Sequence, residues 1–153
     1  LDDFLAMRET EGTALQTVIA GQLDQIAKFT TLAEQAAAER APHVKENLTI
    51  ALKRVLEDVG DMDEQRIAQE LAVLAVKSDV TEEIDRLGAH VEAARELLVQ
   101  EAPAGRKLDF LAQELNREAN TLCAKAQSKA LTAIGLDLKS VIDQMREQIQ
   151  NVE

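Results

Sequence analysis

The chain has 153 residues, 46% hydrophobic but only 2% aromatic, with three Phe and neither Tyr nor Trp. It is rich in helix formers and poor in the residues that favour strands, which predicts an all-α fold. A single cysteine excludes an internal disulfide and a multi-cysteine zinc site and fits a reducing compartment, while a net charge of −11 argues against generic nucleic-acid binding.

Residues 1 to about 40 read as a long amphipathic helix with Phe4, Leu5, Leu15, Val18, Ile19, Leu23, Ile26 and Phe29 on its apolar side. Gly12 and Gly21 weaken it, and Pro42 is expected to separate it from a second helix carrying Val44, Leu48, Leu52, Val55 and Val59, with Gly60 as its stop. Asp61 with Glu64 forms a capping-box signal for a third helix through Ile67, Leu71 and Leu74, and Asp79 with Glu82 repeats the signal. Behind it, Ile84, Leu87, Val91, Ala94 and Leu98 have heptad spacing. The run Leu71 to Val76 is far too short to span a bilayer, so no membrane partner is expected.

After a Pro103-Ala104-Gly105 break, Leu108, Leu111, Leu115 and Leu122 mark another helix face. The last helix carries Ile134, Leu138, Val141, Met145, Ile149 and Val152. Long helices with narrow seams predict an elongated antiparallel bundle, coiled-coil-like and self-associating. Residues 1–60 read as a connecting or clamp region and 61–153 as a C-terminal helical domain. The chain begins at Leu1 rather than Met, as a fragment would, so the lack of a visible signal peptide carries no information.

Charge is unevenly placed. Residues 102 to 153 are neutral with seven basic and seven acidic side chains, and 106 to 129 hold five basic against three acidic. That locally basic stretch also carries Gln113, Asn116 and Asn120, and Asn lowers helix propensity without an evident return, which suggests a binding surface. Upstream, Glu83, Arg86 and His90 share one helix side, and Glu114 and Glu118 stand at i, i+4 beside Arg117. If the two helices meet, a histidine with several carboxylates can hold a hard or borderline divalent ion. Spacing alone leaves ordinary helix ion pairs as the simpler account of each part. There is no Walker loop, no nucleophile elbow, no zinc-protease motif, and no Glu-x-x-His pair of the di-iron bundles.

The runs GRKLDFLAQELNREANTL at 105–122, LKSVIDQMREQIQNVE at 138–153, and Glu70-Leu71-Ala72 running into Asp79 to His90 resemble the C-terminal region of the bacterial YicC/YloC family of endoribonucleases. So does the short stretch Met7 to Gly12. The resemblance implies a cytoplasmic, metal-assisted RNA-cleaving enzyme, hexameric in the family and about twice this length, with an N-terminal domain this chain lacks. It places Glu83, Arg86 and His90 in one family motif, and Arg106, Lys107, Asp109, Gln113, Glu114, Asn116, Arg117, Glu118, Asn120 and Thr121 in another. Where the family has a Gly-Ser-Lys-Ser-like run, this chain has Cys123-Ala124-Lys125-Ala126, without the hydroxyls.

On that basis Glu83, His90, Glu114 and Glu118 are expected to place Mn²⁺ or Mg²⁺, with Glu114, Glu118 and His90 catalytic. Arg86, Arg106, Lys107, Asn116, Arg117, Asn120 and Lys125 are expected to contact RNA. Two other classes remain open: an oligomerisation scaffold with catalysis in the missing half, and an acidic adaptor that binds a protein partner through a helical groove. The isolated fragment can be inactive under any of them.

Overall fold

Ala, Leu, Glu and Gln are so dense along this chain that helix is almost the only regular structure available to it. The computed structural model describes residues 2–59, 64–100 and 104–151, with side-chain surroundings given from residue 12 to 57 in the first segment. It contains α1 (Asp2–Val59), α2 (Glu64–Ser78), α3 (Thr81–Val99), α4 (Gly105–Lys125) and α5 (Lys129–Asn151). The described residues contain no strand, so the fold is all-α. The expectations for Phe4, Leu5, the Met7 to Glu11 stretch, the Val59 side chain, Gly60, Asp61, Pro103 and Val152 fall outside the described residues.

The predicted seams become one core. Ile19, Leu23, Ile26, Ala33 and Ala36 of α1 pack with Ile84, Leu87, Val91 and Ala94 of α3, Leu108, Ala112, Leu115, Ala119 and Leu122 of α4, and Leu131, Leu138, Val141, Ile142, Met145 and Ile149 of α5. Each large aliphatic group sealed in this way contributes roughly 1.5–3 kcal/mol. The core therefore draws on residues from both sides of position 60, with residues 19–36 of α1 forming one wall of the bundle.

Side-chain pairings give the helix directions. Asp24 meets Arg95 at 2.9 Å and the earlier Gln16 donates to the carbonyl of the later Leu98, so α1 and α3 are antiparallel. Glu83 meets Lys125 and Arg86 meets Glu118, so α3 and α4 are antiparallel. Asp109 meets Arg146 while Cys123 lies against Gly135, so α4 and α5 are antiparallel. With α5 also against α1, the four form an up-and-down bundle in the cyclic order α1, α3, α4, α5. The Asp24 carboxylate, by its hydrogen bond, holds the Arg95 guanidinium above its ordinary pKa.

One expected boundary is absent. The first helix does not stop before Pro42, because α1 runs through it to Val59. Proline removes one amide donor and crowds the carbonyl four residues earlier, here that of Ala38. Ala38 and Pro42 are both exposed, so water can satisfy that carbonyl and the helix continues. Beyond this point α1 contributes no residue to the buried core, and half-buried Val44 and Leu48 line a groove with Leu71 and Ala75 of α2. Pro42 thus marks the base of a two-helix arm.

Candidate functional site

The base of the arm is fixed by Arg40, which is buried although charged. Its Nη2 donates to the Ser78 carbonyl at 2.5 Å and its Nη1 to the Lys125 carbonyl at 3.3 Å. Those residues end α2 and α4, so one guanidinium satisfies terminal carbonyls of two helices and sits where their dipoles favour a cation. Burial lowers the Arg40 pKa, and the Asp79 carboxylate partly opposes that shift. Sequence reasoning passed over Arg40. The usable signal was its position four residues after Ala36 and seven after Ala33, where the apolar stripe of α1 demands a core residue.

The expected Asp79–Glu82 capping box does not form: the N-cap of α3 is Val80, without a side-chain capping bond, and Asp79 lies one residue before it, partnered by Thr81. The Thr81 hydroxyl donates to Asp79 Oδ1 at 2.7 Å and the Thr81 amide at 3.0 Å. These two bonds, in that order, hold the Asp79 carboxyl below its ordinary range, with Lys125 and Arg40 adding weaker attraction. Glu82 instead bonds Arg86 one turn later.

Antiparallel packing of α3 on α4 brings together the two constellations that spacing alone could not join. Lys125 Nζ donates to Glu83 Oε1 at 2.7 Å and to the Asp79 carbonyl at 3.4 Å. Two turns further along α3, ligand atoms of His90, Glu114 and Glu118 all lie within 4.8 Å of one another. An ion with bonds of about 2.1 Å needs its donor atoms roughly 3–4 Å apart, so modest side-chain rotation would close these three around one. Three protein donors would leave positions open for water and a phosphate oxygen.

The surroundings fit a cation. Glu118 is buried on the seam of α4 between Leu115 and Leu122, an expensive place for a carboxylate without compensation. Glu114 stands one turn away, and like charges at i, i+4 repel by about 0.2–0.5 kcal/mol. Arg86 Nη1 lies 3.6 Å from Glu118 and Arg117 Nη1 lies 3.6 Å from Glu114, both beyond direct hydrogen-bond reach.

Glu83 is differently placed from the expected ligand set. Seven residues of α3 separate it from His90, roughly 10 Å along the axis. Its Oε1 is held by Lys125, while its buried Oε2 has no hydrogen bond. Lys125, expected at RNA, is correspondingly turned inward. On α4, roughly 100° per residue keeps Lys107 and Arg117 near the Glu114 side, whereas Asn116 and Asn120 fall about 160° and 120° away. Arg106, Lys107, Arg117 and Asn120 are exposed and Asn116 is half-buried. Arg146 and Gln113 both engage Asp109, so those motif residues tie α4 to α5 and to itself. Two unexpected features close the α4–α5 turn: Gln127 takes φ 50°, and Ser128 Oγ accepts the Leu131 amide at 3.1 Å.

The family described as "Endoribonuclease YicC-like, C-terminal" matches residues 33–153. The chain is 43% identical over 153 residues to the "Probable endoribonuclease YicC" of Haemophilus influenzae, covering 100% of this chain and 52% of that protein. It is 36% identical over 147 residues to the protein of the same name from Clostridioides difficile, covering 96% of this chain and 50% of that one. The chain therefore spans about half the length of the curated relatives it matches.

Proposed function

The chain belongs to the YicC-like endoribonuclease family through its C-terminal domain, and from that premise we propose that it is the helical, metal-holding part of a cytoplasmic enzyme that cuts RNA phosphodiester bonds. The observation that carries this reading is the convergence of His90, Glu114 and Glu118 from two separate helices. A divalent ion supplies neutralising charge at the phosphate and a water more readily deprotonated. Glu114 and Glu118 offer carboxylate oxygens and His90 a ring nitrogen, a donor mixture that favours Mn²⁺ over Mg²⁺. Glu83, held by Lys125, stays outside this ligand set and supports α3 from below.

Arg86 and Arg117 flank the cluster and contact the phosphates on either side of the scissile bond. Arg106 and Lys107 extend the basic track toward the start of α4. Phe110 is 60% exposed, one turn before Glu114, and offers a base a stacking face. Asn116 and Asn120 reach sugar or phosphate only where the strand wraps the flank of α4. No described helix is long and apolar enough to cross a membrane.

The test is cleavage of a labelled RNA by the protein at the full length its relatives have, with Mn²⁺ or with EDTA. Glu114→Gln, Glu118→Gln and His90→Ala each lower the rate by about 10²-fold or more. Full activity and metal dependence in all three would remove the site.

A second reading, an oligomerisation scaffold with catalysis elsewhere in a longer protein, is favoured by one feature. Ile50, Val55, Val73 and Val76 are exposed on the α1–α2 arm. Under it, Val55→Glu with Val76→Glu reduces the assembly size seen by light scattering, while the three site variants leave cleavage intact.

A further inference from the structure

Arg86 reaches two carboxylates at once. Its Nη2 bonds Glu82 on its own helix, and its Nη1 lies 3.6 Å from Glu118 Oε1 on α4. The two ends of that second contact are unlike: the Glu118 side chain is 6% exposed, the Arg86 side chain 52%. Glu118 is locked on the α4 seam, whereas the guanidinium sits on the rim with solvent beside it. Glu118 is also one of the three groups whose ligand atoms converge.

A carboxylate this deeply placed needs positive charge, and among the described residues Arg86 is the cation paired with it. A divalent ion seated among His90, Glu114 and Glu118 would meet the same need at closer range and with greater charge. An ion held by either Glu118 oxygen takes up the charge of the whole carboxylate, so the attraction that draws Arg86 inward falls. Arg86 can leave without exposing a cavity, since half of its side chain is already in water and Glu82 tethers it at the rim.

We infer that Arg86 is an internal stand-in for the metal: it neutralises Glu118 when the site is without an ion, and ion binding releases its guanidinium to an RNA phosphate. The inference rests on the proposed metal site and adds its regulation. It makes metal loading and phosphate binding mutually reinforcing, because the ion that completes the site also frees the arginine that holds the substrate. The coupling is reciprocal, so RNA that captures Arg86 tightens the hold on the ion. It also gives Arg86 a signature opposite to that of an ordinary supporting residue, whose removal weakens ion binding.

The experiment titrates Mn²⁺ alone into the 153-residue chain, followed by electron paramagnetic resonance of the free ion. Thermal melting of each variant accompanies it. Arg86→Gln binds Mn²⁺ about fivefold more tightly than the parent, the factor released when an ion pair with one exposed partner is lost. Arg86→Lys, which keeps the charge, stays near the parent value. With a short single-stranded RNA, saturating Mn²⁺ strengthens binding in the parent and has a smaller effect in Arg86→Gln. Mn²⁺ binding that is unchanged or weaker in Arg86→Gln, yet abolished in His90→Ala, overturns the displacement and leaves the metal site standing. If neither the parent nor Arg86→Gln binds Mn²⁺, the metal site fails and this inference fails with it.

Discussion

The Sγ of Cys123 on α4 lies 2.5 Å from the point where a β-carbon on Gly135 of α5 would stand. The two helices approach closely because residue 135 has no side chain, and the thiol fills the space. Gly135→Ala gains about 1 kcal/mol of helix propensity but forces the sulfur aside, an overpacking cost of about 1–3 kcal/mol. The expected result is a net loss of roughly 1 kcal/mol. In a Cys123→Ala background the sign reverses, because the new methyl enters the space the sulfur vacated. Chemical denaturation of the two single variants and the double variant measures the coupling, and additive effects would contradict it.

The helical part of the architecture was legible because the apolar spacing is regular: Ile84, Leu87, Val91 and Ala94 are buried as their heptad rhythm implies. Pro42 was misleading because propensity describes an isolated helix, whereas here an exposed Ala38 carbonyl can turn to water. The site was half legible. Spacing put Glu114 with Glu118 and Glu83 with His90, but which carboxylate faces which histidine depends on the stagger between α3 and α4. That stagger is set by core contacts distant in sequence. It gives Glu83 to Lys125 and Glu118 to Arg86 and His90. Arg40 was missed because its partners are main-chain carbonyls, which have no signature in the sequence.

Lys125 and Glu83 form an ion pair with one buried end: the Glu83 side chain is 5% exposed and that of Lys125 31%. Lys125→Met would leave a buried carboxylate without its cation, and its Oε2 already lacks a hydrogen bond. The expected loss is about 2–3 kcal/mol, below the range for fully buried pairs because solvent reaches the lysine. Glu83→Gln added to Lys125→Met recovers most of it, since no unpaired charge then remains. Urea denaturation of the single and double variants checks this, and a double variant as unstable as Lys125→Met would refute it.

Asp79 predicts a pH dependence with a definite sign. Hydrogen bonds from Thr81 favour its ionised form and depress its pKa when folded. Its contribution is therefore fully present above the unfolded carboxyl value and is lost as pH falls below that value and through the lower folded one. Asp79→Asn can still accept the Thr81 amide but does not titrate, so its stability falls less steeply through that window. The group is exposed, and the difference stays below about 1 kcal/mol. Parallel acid titrations of melting temperature would show it, and coincident curves would exclude it.

Pro42 sits where α1 passes from the four-helix core to the arm, and its missing amide interrupts the hydrogen-bond ladder at that point. None of residues 43–57 belongs to the buried core, so less steadies them than the part of α1 before Pro42. Pro42→Ala restores a donor to the Ala38 carbonyl and removes the ring's steric conflict, a local gain of about 3 kcal/mol at most. Because the core lies on the other side of Arg40, the gain appears in the arm and not in global unfolding. Hydrogen exchange slows at the amides of 43–57, while those of α3, α4 and α5 exchange as before. If slowing spread evenly over all five helices, arm and core would be one cooperative unit. Unchanged exchange in the arm would mean that Pro42 imposes no strain on α1.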